Sequence, residues 1–383
     1  MATPLLIAAA ISTSLVMGLA SRIFSAVAES LEERLQLSER RLKRMHAALV
    51  LAYVPLMPVA GRLVDSWDLL DVLFLGALLL SVAISWIGLC RNLKGLFWGV
   101  AGLALGTACL ATAGVNLMAP ALSLHPRGST GAALALGFVF VGLAALLTAP
   151  LLERLVRLLG FQKALLTAGF SCLIPAGLAA LIKGSLPAAA AAGDGAALLS
   201  IPFALLMLLA FSYAALNMSL EIWVAPYLHE IGYSGRSLFR LVVAFWAGYL
   251  LCRFGLTWMI RSGNEAWLVL VLLAAAAMLL GNLTGAYAAN SGYWGFWLVG
   301  AACGPLWPAL LALAIDTPDL RGMSGQAVGI LLALTALGAL ITRPLLESFA
   351  KAHAPRECIR IPMLISLAMA APVLMLALMK SSR

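Results

Sequence analysis

Residues 127–155, RGSTGAALALGFVFVGLAALLTAPLLERL, lie over residues 321–349, RGMSGQAVGILLALTALGALITRPLLESF, when the chain is slid against itself by 194 positions (321 − 127). Twelve of those 29 aligned positions are identical, including Arg127 and Arg321, Gly131 and Gly325, Thr148 and Thr342, Pro150 and Pro344, and Glu153 and Glu347. A bias toward Ala and Leu does not align arginines, prolines and glutamates, so the chain carries an internal repeat of about half its length.

Working outward, apolar runs of about 20 residues broken by Gly, Pro or charge predict twelve membrane spans. They fall near 4–28, 46–66, 69–90, 95–122, 129–152, 163–183, 199–228, 237–259, 266–288, 294–315, 323–346 and 361–380. The expected fold class is therefore an all-α membrane protein of twelve transmembrane helices. The Ala/Gly-rich, nearly uncharged segment 183–198 reads as a linker between a six-helix bundle over 1–182 and another over 199–383. A repeat of six spans returns the chain to the same membrane side, so the two pseudo-repeats are expected to be parallel.

Composition sets the same bounds. With 63% hydrophobic residues, 11% charged residues and a mean hydropathy of +1.01, the chain is not a soluble globular protein. Its net charge of +9 sits in short gaps between apolar runs, where anionic lipid headgroups are the natural partners, so nucleic acid is not an expected one. The six cysteines show no metal-ligand or CxxC spacing; no metal, cofactor or disulfide is expected from them. The N-terminus lacks a basic leader, and the first span reads as a permanent helix.

One span is apolar and yet polar along one side. Leu199 to Leu228, LSIPFALLMLLAFSYAALNMSLEIWVAPYL, carries Tyr213, Asn217 and Glu221 at four-residue spacing, hence on one helix face. A carboxylate within a span costs at least ~2.5 kcal/mol on insertion scales. It is expected to bind substrate or a coupling proton, against the plainer readings of a snorkelling side chain or a structural ion pair with an arginine.

The segment GRLVDSWDLLD, from Gly61 to Asp71, resembles the loop between helices 2 and 3 of the major facilitator superfamily, whose pattern is roughly G-x-L-x-D-x-x-G-R-R. Gly61, Leu63 and Asp65 match; Asp68 stands at the second Gly, and Leu69 and Leu70 replace the basic pair. In the second half Arg253 of CRFG falls 191 positions after Arg62 (253 − 62). The stretches SYAALNMSLEIWVAPYL, FWAGYLLCRFG and GPLWPALLALAI, with NLMAPAL in helix 4, resemble the fucose:proton symporter branch and its sugar-transporter relatives. The resemblance implies a multi-pass protein of the cell (inner) membrane. It would be a proton-coupled secondary transporter of a small polar, sugar-like solute, working by alternating access with its site between the halves.

On that reading Glu221, Asn217, Tyr213, Asn116, Arg22, Trp223 and Trp307 are the candidates for substrate binding or proton coupling, and Asp65, Arg62 and Arg253 for a gate. Helices 1 and 7 both line the cavity in the family, so Arg22 would face Glu221. Trp223, Trp246 and Trp307 read as sugar-stacking faces or as packing. Pro305 and Pro308 each remove a helical hydrogen bond and are expected to break helix 10 beside Trp307. Gly99, Gly102 and Gly106 read as helix packing, and Arg343 as a snorkelling cation.

The Lys and Arg distribution opposes the family's orientation. With both termini cytoplasmic, the even loops and termini hold seven basic residues and the odd loops fifteen, the other three being Arg22, Arg253 and Arg343. Competing functions are an exporter or antiporter of a metabolite or drug-like compound, a non-transporting sensor of the same fold, and an intramembrane enzyme. The enzyme is disfavoured because it needs paired carboxylates, a His/Cys cluster or a sizeable loop domain, and Asp65 with Asp68 is the nearest approach.

Overall fold

The computed structural model describes residues 4–123, 129–184, 195–256, 260, 263–284, 292–320 and 322–381. There is no strand among them, and twelve helices are long and apolar enough to cross a membrane. In chain order they are α1 (Pro4–Ala26), α2 (Glu39–Ser66), α3 (Leu69–Leu89), α4 (Leu93–Ala121), α5 (Thr130–Leu159) and α6 (Phe161–Leu181). The series continues with α7 (Ile201–Glu230), α8 (Gly235–Leu256), α9 (Glu265–Leu283), α10 (Trp294–Ile315), α11 (Ser324–Ala352) and α12 (Pro355–Lys380). Arg127, Arg321 and most of the expected linker lie outside the described residues.

All twelve expected spans are present, with two local differences. The charged stretch after α1 is not a plain loop: Ala28–Leu35 forms a short helix ended by Gln36 in the left-handed conformation, and α2 starts at Glu39. Arg, Leu, Lys and Met are good helix formers, so α2 continues past the end of its apolar run. Second, α6 is interrupted at Cys172, between Phe161–Ser171 and Leu173–Leu181. The expected break in α10 is present too, at Gly304 and Pro305, between Gly292–Cys303 and Leu306–Ile315.

Local chemistry explains several ends. Asp68 caps α3 by accepting from the Leu70 amide at 2.9 Å, and Asn92 caps α4 by accepting from the Gly95 amide at 2.7 Å. Two repeat-related hydroxyls inside the spans are satisfied on their own helix: Thr148 donates to Ala144 O at 2.7 Å, and Thr342 donates to Gly338 O at 2.6 Å. Glu153 and Glu347, also repeat partners, pair with Arg157 and Arg343 one turn away on opposite sides. Arg343 is thus held by an exposed ion pair on its own helix.

Contacts divide the chain into two compact units. One comprises Met1–Leu124, Phe140–Gly195 and Pro318–Ala333; the other comprises His125–Val139, Ala196–Thr317 and Leu334–Arg383. Neither unit is a contiguous half, because the first holds the start of α11 and the second the start of α5, the two helices that the repeat superposes. In the first unit α3 packs on α4 through glycines: a Cβ on Gly99 would lie 2.6 Å from Ile87 Cγ1, and one on Gly106 2.7 Å from the Leu80 amide. Asp71, on the first turn of α3, pairs with Lys183 just past α6 at 2.6 Å. Glu265 stands 194 positions after Asp71 (265 − 71), on the first turn of α9 in the second unit. It reaches Lys380 at the end of α12, at 3.4 Å. The two acids occupy repeat positions, whereas their lysines lie 197 apart (380 − 183), and the Asp71 side chain is partly exposed while that of Glu265 is wholly buried.

Candidate functional site

The second unit holds a polar cluster built from three helices. α7 supplies Tyr213 and Asn217 one turn apart, α8 supplies Tyr249 and Arg253 one turn apart, and the break in α10 supplies the Gly304 carbonyl and Trp307. The break follows from sequence. In an intact helix the Gly304 carbonyl would accept from the amide four residues on, but that residue is Pro308, which has no N–H. Arg253 Nε donates to this orphaned carbonyl at 2.6 Å. A Cβ at Gly304 would overlap the Tyr249 backbone, so only glycine lets α8 and α10 approach closely enough for the bond.

Arg253 is 5% exposed. Its Nη2 donates to the Tyr249 hydroxyl at 2.9 Å, its Nη1 to the Phe138 carbonyl at 3.3 Å, and its guanidinium carbon lies 4.4 Å from the Tyr249 ring centroid. The Tyr249 hydroxyl is 2.7 Å from the Tyr213 hydroxyl and 3.4 Å from Asn217 Oδ1, to which it donates. Tyr213 stacks on Trp307 with ring centroids 5.2 Å apart and planes 17° apart, and Trp246 meets the Tyr249 ring edge-on at 5.3 Å. All Arg253 contacts are to neutral oxygens and rings; among the described residues no carboxylate pairs with it. A buried cation without an acid partner is costly, and the cluster around it offers hydroxyl, amide and aromatic faces.

The structure thus brings Tyr213, Asn217, Trp307 and Arg253 together. Arg253, expected at a gate, uses three of its five N–H donors on α5, α8 and α10 of the second unit, which leaves two for a ligand. Tyr249, which sequence reading did not single out, is the hub. The signal for it was its place four residues before Arg253 in FWAGYLLCRFG, which puts both on one helix face. Glu221, one turn beyond Asn217, is exposed, and so is Arg22 on α1 in the first unit. Trp223 is 1% exposed and packs against Phe349, so it offers no open ring face. Asn116 donates to its own helix at Thr112 O, 2.9 Å away.

Asp65 lies in the first unit, near the end of α2. Its two carboxylate oxygens accept from the Gly325 and Gln326 amides, each at 2.7 Å, and so cap the start of α11. The two bonds satisfy two of the amides that a helix start leaves without intrahelical partners. Gly325 is required, because a Cβ would lie 2.7 Å from Asp65 Oδ1. Arg62 is exposed one turn back on α2. Asp65→Asn keeps one acceptor and loses the charge, which is expected to weaken the contact by about 1–2 kcal/mol. The expected readout is a several-fold change in transport rate with little change in ligand affinity. Unchanged rates in proteoliposomes would reduce Asp65 to a turn residue.

Comparison with known proteins agrees with this architecture. The chain is 29% identical over 324 residues to human monocarboxylate transporter 11, covering 75% of this chain and 64% of that protein, less than two thirds of its length. The fold is similar to that of FucP, a Major Facilitator Superfamily transporter solved in the outward conformation, with TM-score 0.78, 16% identity and 98% coverage of both chains. It is also similar to the human organic anion transporter MFSD10 (TETRAN), with TM-score 0.73, 15% identity and coverage of 96% and 98%. At such identities these solved structures speak to the fold alone. The family model of the Major Facilitator Superfamily matches residues 9–341, nearly the whole length of the twelve-helix array, and the chain belongs to that superfamily of membrane transporters.

Proposed function

We propose that this transporter carries a small organic anion, a carboxylate with hydroxyl or other polar groups, and that Arg253 is its anion-binding residue. The observation that carries the reading is the buried guanidinium whose neighbours are all neutral. A substrate carboxylate supplies the missing charge, and the planar fork of arginine suits it. Tyr213, Asn217 and Tyr249 would bond the substrate's hydroxyls, and Trp307 would bound the site. The names of a monocarboxylate transporter and an organic anion transporter among the similar proteins support the same class. Transport is proposed to be secondary, by alternating access, in the cell (inner) membrane, with a proton as coupling ion through Glu221. The halves 1–182 and 199–383 would be its two bodies and 183–198 their linker.

A neutral sugar is the second reading. It is favoured by the stacked Tyr213 and Trp307 rings beside Asn217, and by the fold it shares with the E. coli fucose:proton symporter FucP. The two are separated by thermal shift on purified protein, since a ligand stabilises by about RT ln(1 + [L]/Kd). Small hydroxy-monocarboxylates should raise Tm in a dose-dependent way, while their amides and neutral sugars should not. The reverse pattern would favour the sugar.

A further inference from the structure

In the first unit the α1–α2, α3–α4 and α5–α6 connections converge at one end, and Arg34 ties them together. Its Nη1 donates to the Gly88 carbonyl at 2.8 Å, and its guanidinium carbon lies 5.0 Å from the Phe161 ring centroid. Around this inward arginine stand cations that point outward. Arg40, Arg41 and Arg44 are exposed on the part of α2 that outruns its apolar stretch, a segment Glu39–Met45 about 10 Å long at 1.5 Å per residue. Arg91 and Lys94 are exposed on the α3–α4 turn. None of these five side chains makes a hydrogen bond or ion pair among the described residues.

The other end of the same unit has the opposite character. There Asp65, Asp68 and Asp71 outnumber Arg62 and Lys183; Asp65 is held by the Gly325 and Gln326 amides and Asp71 by Lys183. At the α3–α4 end, residues 29–44, 91–94 and 153–163 together hold ten Lys and Arg against five Glu, a net of +5 (10 − 5), so this end attracts anions. The aromatic residues say which kind. Trp86, Phe97 and Trp98 are 50%, 56% and 68% exposed on helices that cross a membrane, within five residues of Arg91 or Lys94. Amphipathic rings next to basic residues are the arrangement found at the headgroup level of a bilayer.

We propose that this end of the first unit is a binding surface for anionic phospholipid headgroups, with Arg40, Arg41 and Arg44 on α2 and Arg91 and Lys94 on the α3–α4 turn as phosphate-contacting cations. The exposed rings of Trp86 and Trp98 hold the acyl-chain side of the same lipids. Each basic residue near such a surface strengthens binding by roughly fivefold.

The test uses the full chain in a neutral detergent, titrated with phosphatidylglycerol or phosphatidylcholine and followed by thermal shift and by lipid retention in native mass spectrometry. Phosphatidylglycerol is expected to raise Tm and to be retained where phosphatidylcholine is not, with the response shrinking in high salt. The triple variant Arg40→Gln/Arg41→Gln/Arg44→Gln should need about tenfold or more lipid for the same shift. A second variant, Arg91→Gln/Lys94→Gln, should show the same defect, and serves if the first is not recovered folded. Equal responses to the two lipids, or full retention by both variants, would overturn the proposal. A shift reproduced by inorganic phosphate alone would overturn it too, since the site would then be a free-anion site. So would tight retention of a co-purifying protein in place of lipid.

Discussion

Arg253→Gln is expected to lower uptake of the proposed organic anion the most, by a loss on the order of 100-fold or more in proteoliposomes. The size follows from what the side chain holds. Removing one partner of a buried charge pair costs about 3–5 kcal/mol, and each 1.4 kcal/mol is tenfold in affinity. Part of the cost is structural, because the Gly304 carbonyl loses its donor and Pro308 cannot supply another. An unsatisfied buried acceptor costs about 1–3 kcal/mol, so Tm is expected to fall as well. Arg253→Lys separates the two roles. It keeps the charge but has a single nitrogen, which cannot reach Gly304, Phe138 and Tyr249 together as the fork does. Partial anion uptake by the lysine variant, with a Tm loss close to that of the glutamine variant, would assign the difference to charge. Wild-type uptake by a folded Arg253→Gln protein would remove Arg253 from the substrate site.

The sequence made the helices legible because hydropathy over about 20 residues measures the property a membrane selects. It marks the limits of the apolar slab, though, and not of the helix. For that reason α2 begins at Glu39 and not near residue 46, and α11 runs on to Ala352. The break at Pro305 was readable since proline removes a donor, and the interruption at Cys172 carries the same signature in Pro175, which cannot donate to the Ser171 carbonyl four residues back; the sequence reading applied that rule to helix 10 only. Within the site, Tyr213 and Asn217 declared themselves by four-residue spacing on one helix. Tyr249 did not, because a tyrosine in a span reads equally as an interface anchor. Its role depends on the crossing of α7, α8 and α10, which no single-helix pattern encodes. Arg253 was grouped with Asp65 through its numerical offset from Arg62. Offset relates repeat positions but carries no information on which oxygens a long side chain will reach.

Glu221 carries the second large expectation. The residue sits one turn past Asn217 and well inside α7, and it is exposed. A carboxylate turned toward hydrocarbon at that depth would cost at least ~2.5 kcal/mol, which is the ground for proposing a coupling role for it. If Glu221 carries the coupling proton, Glu221→Gln is expected to end proton-driven accumulation and bring the internal substrate concentration down to the equilibrium distribution. Counterflow exchange and ligand-induced Tm shifts should persist, since glutamine keeps the shape and hydrogen-bonding capacity but does not titrate. An acid-outside gradient across proteoliposomes, with and without an ionophore, measures the first. Labelled exchange at symmetric pH measures the second. Gradient-driven uptake at the wild-type level by the mutant would transfer proton coupling to another group. Loss of both activities together with folded protein would instead make Glu221 a structural partner, because only a coupling role predicts that accumulation fails while exchange survives.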